Sequence, residues 1–460
     1  MKKLFLMLSF AVVTLTMTAQ SPDGSITPEM MKRIKSSYKN TSTDRMVRNA
    51  IAACDTKKLS VNQENRQEIE DNFSNRVPNK GITDQKRSGR CWLFSGLNVL
   101  RSKAIARFNL DNFQFSQAYI FFYDQLEKSN LFLQMVIDTR KDKIDTQSVD
   151  WLFSNPINDG GTFTGVADLV NKYGLVPSSA MPESKVANAT SQMSDILKTK
   201  LRMAGITLRD MSDRKATMPE LLKYKEQTLC DIYRILALSL GTPPETFTYQ
   251  RNDTSEKKIY TPIEFAAEYG TAEICNDYIM LMNDPTREYY RCYEIDRDRH
   301  TYEGHNWLYV NLPIEDIKQM AIASIKDSTA MYFSCDVAKY LDSERGLLDI
   351  ANYSYEDLWG ISLQMDKRQR IASHASGSSH AMTLVAVDLK EGKPTKWMVE
   401  NSWGATSGHK GHLIMTDEWF DEYMFRLVVC RKYATQRTLE VLKTKPIKLP
   451  AWDPMFAPEQ

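Results

Sequence analysis

The sequence predicts an α+β fold, with a helical first half followed by a β-rich second half. Three observations lead there. Apolar residues recur at helical spacing after Cys91, at positions 93, 94, 97, 100 and 104. Helix formers and charges dominate residues 186 to 300, most strongly over Asp195 to Met203, Met218 to Leu240 and Pro262 to Tyr269. After a further helix over Ile314 to Lys326, the apolar runs Ala330 to Cys335, Ala381 to Val387, Trp397 to Val399 and Leu413 to Met415 read as strands.

Of the 460 residues, 42% are hydrophobic and 25% charged, a composition of globular rather than disordered chains. Lysine and arginine (59) nearly cancel aspartate and glutamate (58). No basic run stands out, so nucleic acid is not an expected partner.

In chain order, Met1-Lys2-Lys3, the apolar run Leu4 to Met17 and the exit Thr18-Ala19-Gln20 make residues 1–20 a secretory signal peptide. The run is shorter than the roughly 20 residues that span a bilayer, so export to a periplasm or beyond is expected, without stable membrane insertion. Residues 21–70 read as an N-terminal arm with helical pieces at Met30 to Ile34 and Met46 to Ala53. Residues 71–185 form a helical region that contains Cys91, and 186–300 a helical insertion, whose Gly241 to Pro244 and Arg251 to Lys258 are surface loops. Residues 301–447 form the β-rich lobe and 448–460 a C-terminal arm.

Seven cysteines (54, 91, 230, 275, 292, 335, 430) include no Cys-x-x-Cys pair and no metal-ligand spacing, so neither metal nor cofactor is expected. The odd count leaves one thiol unpaired within a monomer, and Cys91 is the candidate. It follows Ser88-Gly89-Arg90 and opens an apolar-periodic helix, where the positive dipole end favours a thiolate. Gln85 lies six residues earlier, where its amide can donate to a developing oxyanion with the Cys91 backbone N–H as second donor.

His380 is the best-anchored of six histidines because it begins the run to Val387. If that run and Trp397 to Val399 form a hairpin folded about Lys390 and Glu391, His380 faces Asn401, whose carbonyl would fix the imidazole tautomer. His300, His305, His374, His409 and His412 occupy polar or loop stretches and read as exposed or supporting residues. A metal site at His409 and His412 lacks further ligands.

Three segments, Gln85 to Phe94, His380 to Thr383 and Glu400-Asn-Ser-Trp-Gly404, resemble the papain superfamily, specifically its bleomycin hydrolase and aminopeptidase C branch. Similarity continues at Asp159-Gly-Gly161, Lys172 to Gly174, Met181 to Ser184, Ala323 to Asp327, Gly411 to Phe420 and Leu449 to Met455, covering most of residues 70 to 455. The resemblance implies a papain-like two-lobed fold, helical lobe against β-barrel lobe, with a large helical insertion and Cys91 and His380 in the cleft. It further implies that Trp403 covers Asn401, that Trp92 supports the site, and that Gly160 and Gly161 contact peptide substrates. The arm would lie in the cleft with the Gln460 carboxylate attracting the substrate's α-amino group, giving an aminopeptidase, and relatives imply a homohexamer. The ending Phe456 to Gln460 and the export signal depart from that pattern. The alternatives are an endopeptidase or acyl transferase on the same site, and a catalytically silent peptide- or nucleic-acid-binding barrel.

Overall fold

The computed structural model describes residues 24–66, 69–111, 113–270, 277–453 and 455. The expected signal peptide, Cys275 and Gln460 lie outside the described residues. The described chain divides into two compact units, one of residues 24–61 with 355–361, the other of residues 62–354 with 362–455.

The first unit holds α1 (Pro28–Ser37), α2 (Ser42–Ala53), α3 (Thr56–Leu59) and a short helix at Tyr355–Trp359. Local chemistry sets their ends. Thr27 caps α1, and Thr41 and Asp44 form a reciprocal capping box on α2. Both helical pieces expected in the arm fall within these elements.

The second unit carries α4 (Cys91–Phe108), α5 (Gln117–Asp138), α6 (Gln147–Ser154), α7 (Phe163–Tyr173), α8 (Ser191–Asp213), α9 (Met218–Leu240) and α10 (Pro262–Tyr269), which contribute to one apolar core. Helix α4 is buried on nearly every side, packing helices on one flank and the sheet on another. It starts at Cys91, where the apolar spacing begins, and α9, α10 and α11 (Ile314–Lys326) have the bounds of the helical segments read from the sequence.

The strands are β1 (Asn75–Arg76), β2 (Phe247–Tyr249), β3 (Lys258–Tyr260), β4 (Tyr278–Met282), β5 (Arg291–Ile295), β6 (Leu308–Asn311), β7 (Met331–Cys335), β8 (Leu341–Asp342), β9 (Leu347–Leu348), β10 (His380–Lys390), β11 (Lys393–Glu400), β12 (His412–Thr416), β13 (Met424–Cys430) and β14 (Ile447–Leu449). All but β2 and β3 join one mixed sheet in the order β14-β5-β6-β4-β13-β7-β10-β11-β12-β9-β8, with β1 also on β10. A second apolar core packs α11 and the segment Asp417–Tyr423 against it.

Two features depart from the sequence reading. Strands β2, β3, β4 and β5 fall inside residues 186–300, so that range is not wholly helical. Tyr278-Ile-Met-Leu-Met282 is a five-residue apolar run, and periodicity alone does not separate so short a buried strand from a helix. The β10–β11 hairpin forms, but it turns at Glu391-Gly392, both at positive φ, with Lys390 opposite Lys393. That is the backbone signature of a two-residue I′ connection. Moving the turn by one residue shifts the register by two, and the two later irregularities cancel, so Thr383 lies opposite Glu400. Asn401 therefore lies past the end of β11 and does not face His380 across the ladder. The His380 backbone pairs with Cys335 of β7 instead.

Candidate active site

Helix α4 crosses the sheet at β10 and the end of β11. The Thr383 hydroxyl donates to the Ser95 carbonyl at 3.3 Å, while Asn98 and Arg101 donate to Glu400 Oε1 at 3.0 and 2.5 Å. Cys91 lies one turn before Ser95 on this helix, and His380 three residues before Thr383 on β10. Both are buried.

The His380 side chain reaches Asn401, with Nε2 2.9 Å from Oδ1. The same Oδ1 accepts from the Ser402 backbone N–H at 2.8 Å. That bond identifies the oxygen of the amide, so Nε2 is the donor to Asn401 and Nδ1 is the nitrogen available for proton exchange with a thiol. Trp403 packs its ring 4.9 Å from the His380 ring. The expected cover is thus on the imidazole, and Trp403 stays half-exposed at its outer side.

Gln85 is held at both ends of its amide. Its Oε1 accepts from the Ser402 hydroxyl at 2.6 Å, and its Nε2 donates to the Ser88 carbonyl at 2.7 Å. The Gln85 backbone N–H also donates to the Ser402 carbonyl at 2.8 Å. Ser402 therefore ties the oxyanion candidate to the residue that orients the histidine. A planar amide held this way has a second Nε2–H in a fixed direction.

The loop before Cys91 is anchored from below by Arg90, which is fully buried. Its guanidinium forms two bonds to Glu183 at 3.0 and 2.7 Å, one to the Ala187 carbonyl at 2.6 Å and one to Ser88 Oγ at 2.9 Å. Fork-to-fork pairing of this kind fixes direction as well as distance. On the other side, burial pushes the Glu400 carboxyl up to about 7, against the pull of Arg101. Asn79 is a further donor to Glu400.

Trp92 turns into the helical core, donating Nε1–H to the Asp159 carbonyl at 2.7 Å. Gly160 and Gly161 line a cavity of about 470 Å³ whose wall also includes His300, Trp452 and Asp453. The C-terminal segment is secured there: Arg287 pairs with Asp453, Arg426 donates to the Met455 carbonyl at 2.7 Å, and the Met455 side chain is buried with Tyr293, Trp307 and Tyr309.

Sequence reasoning missed Ser402, Arg90, Glu183, Arg101 and Glu400 as parts of this site. Glu400 and Ser402 flank Asn401 in the chain, but their partners lie far away in sequence. His300 needs correction as an exposed candidate. It is buried, 2.5 Å from Asp124, because two glycines open space for its ring. His305 pairs with Asp168 at 2.8 Å and His409 with Asp71 at 3.0 Å.

Residues 25–456 match the Peptidase C1-like family. The chain is 43% identical over 400 residues to the bleomycin hydrolase of Homo sapiens, covering 84% of this chain and 88% of that protein. It is 39% identical over 385 residues to aminopeptidase G of Lactobacillus delbrueckii subsp. lactis, covering 83% and 88%. A crystal structure of PepW from Lactobacillus rhamnosis superposes with a TM-score of 0.90 at 33% identity, over 95% of this chain and all of that one.

Proposed function

The chain belongs to the Peptidase C1-like family, and we propose that it is a cysteine aminopeptidase that removes N-terminal residues from peptides. The observation that carries this reading is the continuous chain of hydrogen bonds from His380 through Asn401 and Ser402 to Gln85, beside the helix that Cys91 opens.

The reaction is acyl transfer. The Cys91 thiolate attacks the first peptide carbonyl, and the second Gln85 amide N–H with the Cys91 backbone N–H receives the oxyanion. His380 Nδ1 gives its proton to the departing amine, then takes one from the water that releases the acyl group. Asn401 keeps Nε2–H engaged throughout, so Nδ1 remains the reactive nitrogen.

The anchored segment through Met455 supports restriction to chain ends. Its residues Ala451, Trp452 and Asp453 line the cavity shared with Gly160 and Gly161. Export, directed by residues 1–20, and a homohexameric assembly complete the proposal. They rest on the leader's composition and on family resemblance.

An assay of aminoacyl-fluorophore substrates on the mature chain tests it, with N-acetylated versions alongside and a truncation after Met455. Cleavage of free-amine substrates alone, relaxed by the truncation, is expected. Equal cleavage of acetylated substrates by the full chain would favour an endopeptidase, and no cleavage of either would favour a silent binding barrel.

A further inference from the structure

The backbone of Asn158 to Gly161 is held by an unusual density of side chains. Three consecutive carbonyls are each taken. Asn158 O accepts from Gln125 Nε2 at 3.0 Å and Lys128 Nζ at 3.2 Å, Asp159 O from Trp92 Nε1 at 2.7 Å, and Gly160 O from Lys128 Nζ at 2.5 Å. The Asp159 carboxylate is bound in turn by the Ser194 hydroxyl at 2.8 Å and by Thr190.

Behind these contacts lies a buried charged group. Asp124 Oδ2 is 2.9 Å from the Lys128 ammonium, and Oδ1 is 2.5 Å from His300 Nδ1. The Asp124 and His300 side chains are 0% and 3% exposed and that of Lys128 12%. Burial alone would raise the Asp124 carboxyl, but Lys128 and His300 hold it below the usual range.

The His300 ring then closes the arrangement. It packs 4.7 Å from Trp92, the residue after Cys91. A Cβ on Gly161 or Gly165 would overlap it, and one on Gly161 would also come within 2.7 Å of Trp92 Cδ2. Both positions accept only hydrogen because the imidazole fills the space. Buried ions are poor sources of stability beside apolar packing of equal volume, so their use at this point fits a demand for geometry.

We propose that Asp124, Lys128 and His300 are positioning residues, which set the Asn158–Gly161 segment at a fixed distance from Cys91 so that it can align the substrate backbone. The inference rests on the aminopeptidase reading and on Gly160–Gly161 as the substrate-facing segment. Lys128 is the critical member, since one ammonium joins Asp124 to two of the three carbonyls. His300 sets the depth of the segment against Trp92.

The test compares the full-length mature enzyme with Lys128→Met and His300→Asn, measuring kcat and KM on an aminoacyl-fluorophore substrate and Cys91 alkylation by iodoacetamide. Iodoacetamide has no peptide backbone to align. Losing a charge-assisted bond should raise KM about tenfold or more in Lys128→Met, with kcat within about threefold and alkylation within about twofold of wild type. His300→Asn, which can keep a donor to Asp124 but loses the ring, should shift KM in the same direction. Unchanged KM in both variants overturns the proposal. So does a parallel fall in alkylation and turnover, or failure of both variants to fold, since each marks the group as fold support. A wild-type enzyme that is alkylated but cleaves no aminoacyl substrate would instead sink the aminopeptidase reading itself.

Discussion

Asn401 holds His380 through one ring nitrogen, with Oδ1 2.9 Å from Nε2 and the same oxygen fixed by the Ser402 amide at 2.8 Å. The consequence is directional, because an imidazole pinned at Nε2 offers Nδ1 in one tautomer and one orientation. Asn401→Ala frees the ring to rotate. A misplacement of about 1 Å can cost about 10²-fold, so kcat should fall by that order with KM little changed. Steady-state kinetics, with a melting curve to verify folding, measure the effect.

Gln85 and Ser402 should separate in degree. Gln85→Ala removes an oxyanion donor and should lower kcat by about 10²–10³-fold. Ser402→Ala removes only the hydroxyl that steers the amide, because the Gln85 N–H to Ser402 carbonyl bond remains. Its loss should be about tenfold, the equivalent of one ordinary hydrogen bond. Equal losses in the two variants would assign Gln85 a structural role.

Glu400 makes stability depend on pH in an uncommon direction. Its folded-state carboxyl titrates near 7, above the ordinary value, so between about pH 4.5 and 7 the folded chain holds a proton that the unfolded chain releases. This contribution is fully present below pH 4.5 and is lost as pH rises through 7. Melting curves of wild type against Glu400→Gln across that window should show a falling component in wild type that the variant lacks.

Arg90→Met should destabilise the chain by about 2–4 kcal/mol, somewhat below the full cost of breaking a buried ion pair because Glu183 is partly exposed. The Ser88 and Ala187 contacts disappear with it. Denaturant unfolding measures the loss, and kcat should fall too because the loop from Gln85 to Cys91 loses its anchor.

Where local chemistry sets an element, the sequence made it readable. Helix α9 begins at a Thr217–Glu220 capping box and stops before Gly241, and α10 begins at Thr261-Pro262 with Glu264. Helix α5 escaped notice because its buried faces carry Asp124, Gln125, Glu127 and Ser129 among apolar residues, which blurs the helical period. The His380–Asn401 partnership follows from a hairpin in the sequence reading, although the hairpin's register in the structure differs. The side chain reaches past the strand end to Asn401, so the pairing survives the slip. Glu400 and Arg101 meet across 299 positions, and His300 reaches Trp92 from the far end of the inserted segment. Nothing local in either sequence neighbourhood announces such contacts.

The central claim, that Cys91 and His380 share a proton, is tested most directly by the pH dependence of Cys91 alkylation in wild type and His380→Ala. An ordinary thiol is half-ionised near pH 8.5 and loses reactivity about tenfold per pH unit below that. Wild type should alkylate nearly as fast at pH 6 as at pH 8, and His380→Ala should be at least about tenfold slower at pH 6. Identical profiles in the two proteins, both falling away below pH 8.5, would contradict the account.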